Sequence, residues 1–232
     1  MPSAELTGTV IVTGGASGLG AAVAGAVEAA GGTPVVLDLN PPPNGFAFER
    51  VDLSDTRAAE SVVERVADAN GGLRGIVTAA GTDACGRLDD VPGDTWERVV
   101  AVNLLGTAAV VRAALPHLER SGGRVVTVAS TLGLKAVSDA TAYCASKFGV
   151  VGFTRALQSE LKGEVGVTLL TPGGMHTAFF DDRDDQYKPG PDAKLNRAED
   201  VAMNVVHVLT QPPGCHVYEL VVASMWEDSW PA

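Results

Sequence analysis

Cysteine, aromatic side chains and positive charge are all scarce in this sequence. Only three cysteines occur, Cys85, Cys144 and Cys215. None forms a CxxC pair or stands at metal-ligand spacing from a histidine. That argues against a disulfide framework and a zinc centre, and no metal is expected. The odd, scattered set matches a reducing compartment, so a cytoplasmic protein is expected. Lys plus Arg total 17 against 28 Asp plus Glu, a formal net charge of −11. An acidic surface repels phosphate backbones, and no Lys/Arg run offsets it, so neither nucleic acid nor an anionic membrane is expected as partner. No uninterrupted apolar run reaches the roughly 18 residues of a membrane span. Met1–Gly8 lacks a charged segment followed by an apolar one, so no secretory signal is expected.

What is present is a globular composition, 46% hydrophobic over 232 residues. Such a chain can bury a full core without staples, and one domain over 1–232 is the expectation. Short apolar β-rich runs alternate with longer Ala-rich stretches. Strands are predicted at 9–13, 34–38, 46–51, 73–79, 124–129, 165–170 and 217–223. Helices are predicted at 18–30, from a Ser54 or Asp55 cap to 69, and at 94–120, 141–162 and 198–209. Unbroken apolar strands separated by helices imply a parallel sheet covered on both faces. The prediction is one doubly wound α/β domain with a seven-stranded parallel sheet. Pro41-Pro42-Pro43 lies in a connection within it, since prolines supply no N–H donors.

Thr13-Gly-Gly-Ala-Ser-Gly-Leu-Gly20 joins the first strand to the first helix. Small residues let backbone N–H groups approach a diphosphate, and a helix N-terminus favours negative charge. The loop lacks the Lys-Ser/Thr ending of a nucleoside triphosphate loop. A dinucleotide is the predicted ligand, held at Gly14, Ser17, Gly18, Leu19 and Gly20. Asp38 ends the second strand 18 residues past Gly20, near the ~20 expected of an acid on the adenosine ribose. A carboxylate there accepts from a 2′-hydroxyl and repels a 2′-phosphate. Leu39 and Asn40 add no positive charge, so NAD is expected over NADP.

Tyr143-Cys-Ala-Ser-Lys147 places Tyr143 and Lys147 four apart on one helix face. Ser130 follows the fifth strand. With these residues in order the chain resembles the short-chain dehydrogenase/reductase family over about residues 8–224. Thr13–Gly20, Asp52-Leu53, Ala80-Gly81, Asn103, Ser130, Tyr143/Lys147, Pro172-Gly173 and Thr177 carry the resemblance. It implies a Rossmann-type domain that moves a hydride between a secondary alcohol or hydroxy acid and its ketone. It implies Tyr143 as general acid/base, Lys147 on the phenol and the nicotinamide ribose, and Ser130 on the substrate oxygen. Asn103 would hold a water leading to Lys147, and Asp52 would meet the adenine. Leu39, Leu53, Ala79, Ala80, Gly81, Pro172, Gly173, Met175 and Thr177 complete the implied cofactor contacts.

One departure is Thr78-Ala79-Ala80-Gly81, where the family usually has Asn-Asn-Ala-Gly. The resemblance sets Ser130, Leu132, Leu134, Val137, Met175 and Phe179 in or beside a substrate pocket, with a substrate loop at about 173–197. Asp181-Asp-Arg-Asp-Asp185 reads as a solvated loop or a lid. As a lid, its four carboxylates against Arg183 disfavour anionic substrates. The resemblance also implies a homodimer or homotetramer, and Trp226 and Trp230 in the tail, 224–232, suit subunit or own-chain packing. Two other readings stay open. One is a non-catalytic nucleotide-sensing protein on the same fold, and the other a 3-oxoacyl thioester reductase using NADPH.

Overall fold

A computed structural model describes residues 5–230, so the expectations placed on 1–4 and 231–232 lie outside the described residues. Seven parallel strands form the central sheet: β1 (Thr9–Thr13), β2 (Thr33–Asp38), β3 (Ala47–Arg50), β4 (Gly75–Thr78), β5 (Arg124–Val128), β6 (Gly166–Pro172) and β9 (Glu219–Val222). They lie in the order β3-β2-β1-β4-β5-β6-β9. The direction of winding reverses between β1 and β4, which opens a crevice at the carboxyl ends of the strands. A separate two-stranded pair joins β7 (Met175–His176) to β8 (Asn196–Arg197).

Alternation along each strand sends side chains to two cores. In β1, Ile11 packs with Leu37, Ile76, Val125 and Val167. On that face lie α2 (Thr56–Ala69), α4 (Thr107–Ser121) and α5 (Thr141–Glu160), through Val63, Val110, Leu118 and Leu157. Val10 and Val12 point the other way, onto α1 (Gly18–Ala29) and α6 (Ala198–Leu209), through Val23, Val27, Val201 and Val205. Each buried valine or leucine contributes on the order of 2 kcal/mol, and the two layers together hold the sheet flat against both helical faces.

The predicted elements all form, with ends that differ for local reasons. Asp55, not Ser54, caps α2, accepting from the Ala58 N–H at 3.1 Å. β4 stops at Thr78 because the chain turns off the sheet there, with the Ala80 N–H donating to Thr13 Oγ1 at 3.1 Å. β6 continues to Pro172, which pairs with Val222 at the sheet's end. The helix predicted at 94–120 is α3 (Gly93–Val100) and α4 joined by a wider π turn, Ala101–Gly106. Together they run 29 residues and are long and apolar enough, by length and composition, to cross a membrane. Half of the most apolar window is buried inside the protein, as in a core helix.

Candidate active site

A cavity of about 710 Å³ occupies the crevice at the strand ends, within the range of cofactor sites. Its floor is the loop after β1. Gly14 has φ +70°, and a Cβ there would lie 2.6 Å from Ala80 Cα. Only glycine lets the two loops approach so closely. Ser17 gives α1 no side-chain cap, and Gly18, Leu19 and Gly20 line the cavity. A helix N-terminus with unpaired N–H groups beside a cavity fits the diphosphate of a dinucleotide.

Asp38, Leu39, Asp52 and Leu53 line the far end of the same cavity, and Ala79, Ala80 and Gly81 its middle. Asp38 Oδ2 accepts from the Ala16 N–H and Oδ1 from the Asn40 N–H, both at 3.0 Å. The carboxylate thus ties the glycine loop to the end of β2. Asp52 accepts from the Ser54 N–H and Oγ and pairs with Arg98 at 3.0 Å. Partial burial raises its carboxyl, but those hydrogen bonds and the Arg98 guanidinium outweigh it and hold the pKa below the ordinary value.

Tyr143 and Lys147 lie one turn apart on α5, and both line the cavity with Ser130. Lys147 is 4% exposed, and its ammonium donates to the Val128 carbonyl at 3.0 Å. Nζ lies 5.6 Å from the Tyr143 ring centroid. Burial disfavours the charged lysine and brings its pKa down to about 8, with Asp83 pulling the other way. Burial likewise pushes the Tyr143 phenol up to about 12, and Ser130 hydrogen-bonding works against it. Asn103 sits in the π turn, buried behind the cavity. Its Oδ1 accepts from the Thr82 N–H at 2.8 Å, and Nδ2 donates to the Thr82 carbonyl and to Ser146 Oγ. Its backbone carbonyl accepts from Thr107 Oγ1. Ser146 Oγ donates in turn to the Tyr143 carbonyl at 2.8 Å, linking the π turn to α5.

Pro172, Gly173, Met175 and Thr177 line the remaining wall, and Leu132 and Phe179 close the end beside Tyr143. Val137 stands apart, 44% exposed and off the cavity. Leu134 packs in the core against Ala129 and Val150 instead. In the segment 181–185 the four aspartates face outward while Arg183 turns in. Four wall elements escaped the sequence reading: Thr131, Phe180, Glu227 and Ser229. Asp83, the partner of Arg183, escaped it too. For the tail residues no local signal existed, because a chain end folding onto a distant cavity leaves no periodicity.

The comparisons follow this geometry. A family model for short chain dehydrogenases matches residues 8–188. An uncharacterized oxidoreductase of Staphylococcus aureus strain MW2 is 31% identical, with 91% of this chain and 95% of that protein covered. A D-beta-hydroxybutyrate dehydrogenase of Rhizobium meliloti is 29% identical over 95% of this chain and 90% of its own. Among solved structures, a Beutenbergia cavernae protein assigned as an NAD(P)-dependent gluconate 5-dehydrogenase superposes with TM-score 0.82 at 30% identity. The match covers 95% of this chain and 97% of that one, which holds NADP at low occupancy. An alcohol dehydrogenase of Thermococcus sibiricus, in complex with 5-hydroxy-NADP, shares the fold with TM-score 0.82 at 23% identity, over 95% and 98% of the two chains.

These structures correct one expectation. NAD was expected over NADP on the strength of Asp38, yet both of these structural neighbours hold NADP-type ligands. The physical reason lies in the loop: both Asp38 oxygens accept backbone N–H groups of this chain. An acid at that position reports how the glycine loop is anchored, and it does not by itself select the cofactor. By the match of its sequence and the likeness of its fold, this chain belongs to the short-chain dehydrogenase family of NAD(P)-dependent oxidoreductases acting on CH–OH groups.

Proposed function

We propose that the protein interconverts a secondary alcohol, or hydroxy acid, and its ketone with Tyr143 as general acid/base. The observation that carries the reading is one continuous cavity. It joins the glycine loop at 14–20 to the cluster of Ser130, Tyr143 and Lys147. A bound nicotinamide dinucleotide supplies the hydride acceptor or donor. In the oxidative direction Tyr143 Oη takes the hydroxyl proton of the substrate as the carbonyl forms. Ser130 Oγ donates to that same oxygen and orients it. Lys147, with a pKa near 8, keeps most of its charge at neutral pH and favours the phenolate. Asn103 holds the Thr82 backbone and Ser146, and through them the start of α5.

Gly14, Ser17, Gly18, Leu19 and Gly20 would hold the diphosphate, and Asp38, Leu39, Asp52 and Leu53 the adenosine end. Ala79, Ala80, Gly81, Pro172, Gly173, Met175 and Thr177 would hold the nicotinamide half. Leu132 and Phe179 would bound the substrate. The fold's outer faces support a dimer or tetramer. Leu105 and Phe148 are 51% and 45% exposed, and Met225 and Trp226 stand out from the tail. Three free cysteines support a reducing, cytoplasmic setting.

The test is turnover. Purified protein is given NAD⁺ and NADP⁺ separately with a panel of secondary alcohols and hydroxy acids, following nicotinamide absorbance. Formation of reduced cofactor that disappears in Tyr143→Phe supports the reading. Cofactor binding with no turnover on any substrate class, 3-oxoacyl thioesters included, would favour a nucleotide-sensing protein. Full activity in Tyr143→Phe would remove Tyr143 from the mechanism.

A further inference from the structure

The loop between β7 and β8 brings a buried ion pair to the substrate end of the cavity. Arg183 Nη2 lies 2.6 Å from Asp83 Oδ2, with side chains only 17% and 7% exposed. The guanidinium is stacked 5.0 Å from the Phe179 ring and 4.6 Å from Phe180. Phe179 in turn packs on Tyr143, ring centroids 5.6 Å apart. A single side chain therefore separates the pair from the phenol.

Arg183 is the cation that a substrate carboxylate would seek at this end. Lys147 points elsewhere, to the Val128 carbonyl behind α5. Asp83, however, already holds the guanidinium. Its other oxygen accepts from the Ala84 N–H, so it is fixed in place by its own loop. An incoming anion would have to displace a carboxylate that has almost no access to water, leaving it buried and unpaired. Asp182 and Glu227 add two more carboxylates to the cavity wall. A negative wall around a neutralised arginine repels anions and leaves the aromatic surface of Phe179 and Phe180 to an uncharged group.

We propose that Asp83 sets substrate charge: by occupying Arg183 it makes this pocket accept uncharged alcohols and ketones and reject those bearing a carboxylate near the reacting carbon. The proposal deepens the oxidoreductase reading and rests on it for the reaction, but its charge preference is measurable without turnover.

The experiment uses butyrate and butyramide, alike in shape and different in charge. Each is titrated calorimetrically into protein saturated with NADH or NADPH. Wild-type protein is expected to bind butyramide at least as tightly as butyrate. Asp83→Asn frees the guanidinium and is expected to gain about tenfold or more for butyrate, the size of a charge-assisted hydrogen bond. Adding Arg183→Gln should abolish that gain. The proposal is overturned if wild-type protein binds butyrate about tenfold better than butyramide. It is overturned equally if Asp83→Asn binds butyrate no better than wild type, binding of neither probe included. The wild-type ranking stands as a test even if Asp83→Asn does not fold. Failure of the reaction itself would show separately, as no alcohol oxidation by wild-type protein.

Discussion

Glu227 Oε2 occupies the space that a side chain on Gly173 would need: a Cβ at 173 would come within 2.2 Å of it. The same oxygen accepts from the Gly174 N–H at 2.8 Å, while Oε1 accepts from the Ser229 N–H. Ser229 Oγ reaches Thr131 Oγ1, beside Ser130. The tail after β9 is thereby fastened across the mouth of the cavity. Gly173→Ala is expected to expel it, since Ala223 Cβ would also lie 2.9 Å from the new methyl. Limited proteolysis should then cut between 224 and 230 faster than in wild type. Unchanged cleavage would mean that the tail has another anchor.

Tyr143→Phe should lower kcat by about 10²–10⁴-fold, the usual worth of a positioned acid/base. Cofactor affinity and Tm should stay near wild type, because the ring and its packing on Phe179 remain. Steady-state kinetics and a cofactor titration on one preparation check both halves.

The pH dependence of stability follows from two buried groups. Lys147 titrates near 8 when folded, against 10.5 for an unperturbed lysine. Between those values the unfolded chain holds more protons, so stability rises with pH. Tyr143 is shifted the other way, from 10.0 to about 12. Its contribution is intact below pH 10 and is lost as pH climbs through the folded value. In the cofactor-free protein, denaturant scans from pH 8 to 10 should show a rise that Lys147→Met removes. A flat wild-type profile over that window would contradict the burial of Lys147.

Asp38→Ala leaves the Ala16 and Asn40 N–H groups without their partner. A loss of roughly 1–2 kcal/mol of stability is expected, as for part-buried donors left unpaired. Because the glycine loop loses its anchor, NADH and NADPH should both bind more weakly. Fluorescence titrations with the two cofactors side by side test this, and loss of one affinity alone would assign Asp38 to cofactor choice after all.

Much of this site was legible because its determinants are local. The glycine loop at 14–20 and the Tyr143/Lys147 pair each declare themselves within eight residues, by small side chains or one-turn spacing. Asp38 was visible as the acid ending β2, but its hydrogen bonds were not, and the inference drawn from it about cofactor choice failed for that reason. Val137 was placed in the pocket by its nearness to Ser130 in sequence, yet the turn after β5 carries it to the surface. Arg183 was visible only as one cation among four aspartates. Nothing in that run says which side chain turns inward, since the choice depends on Asp83, 100 residues earlier.

The sequence by itself determined the alternation of strands and helices, the sheet they build and the chemistry brought to its carboxyl edge, because hydrophobic period and backbone freedom act over a few residues. Only the tertiary structure decided which distant groups meet there. Asp83 with Arg183, Glu227 with Gly173 and Asn103 with Ser146 are contacts between chain segments far apart, and their pairing is fixed by how the layers close.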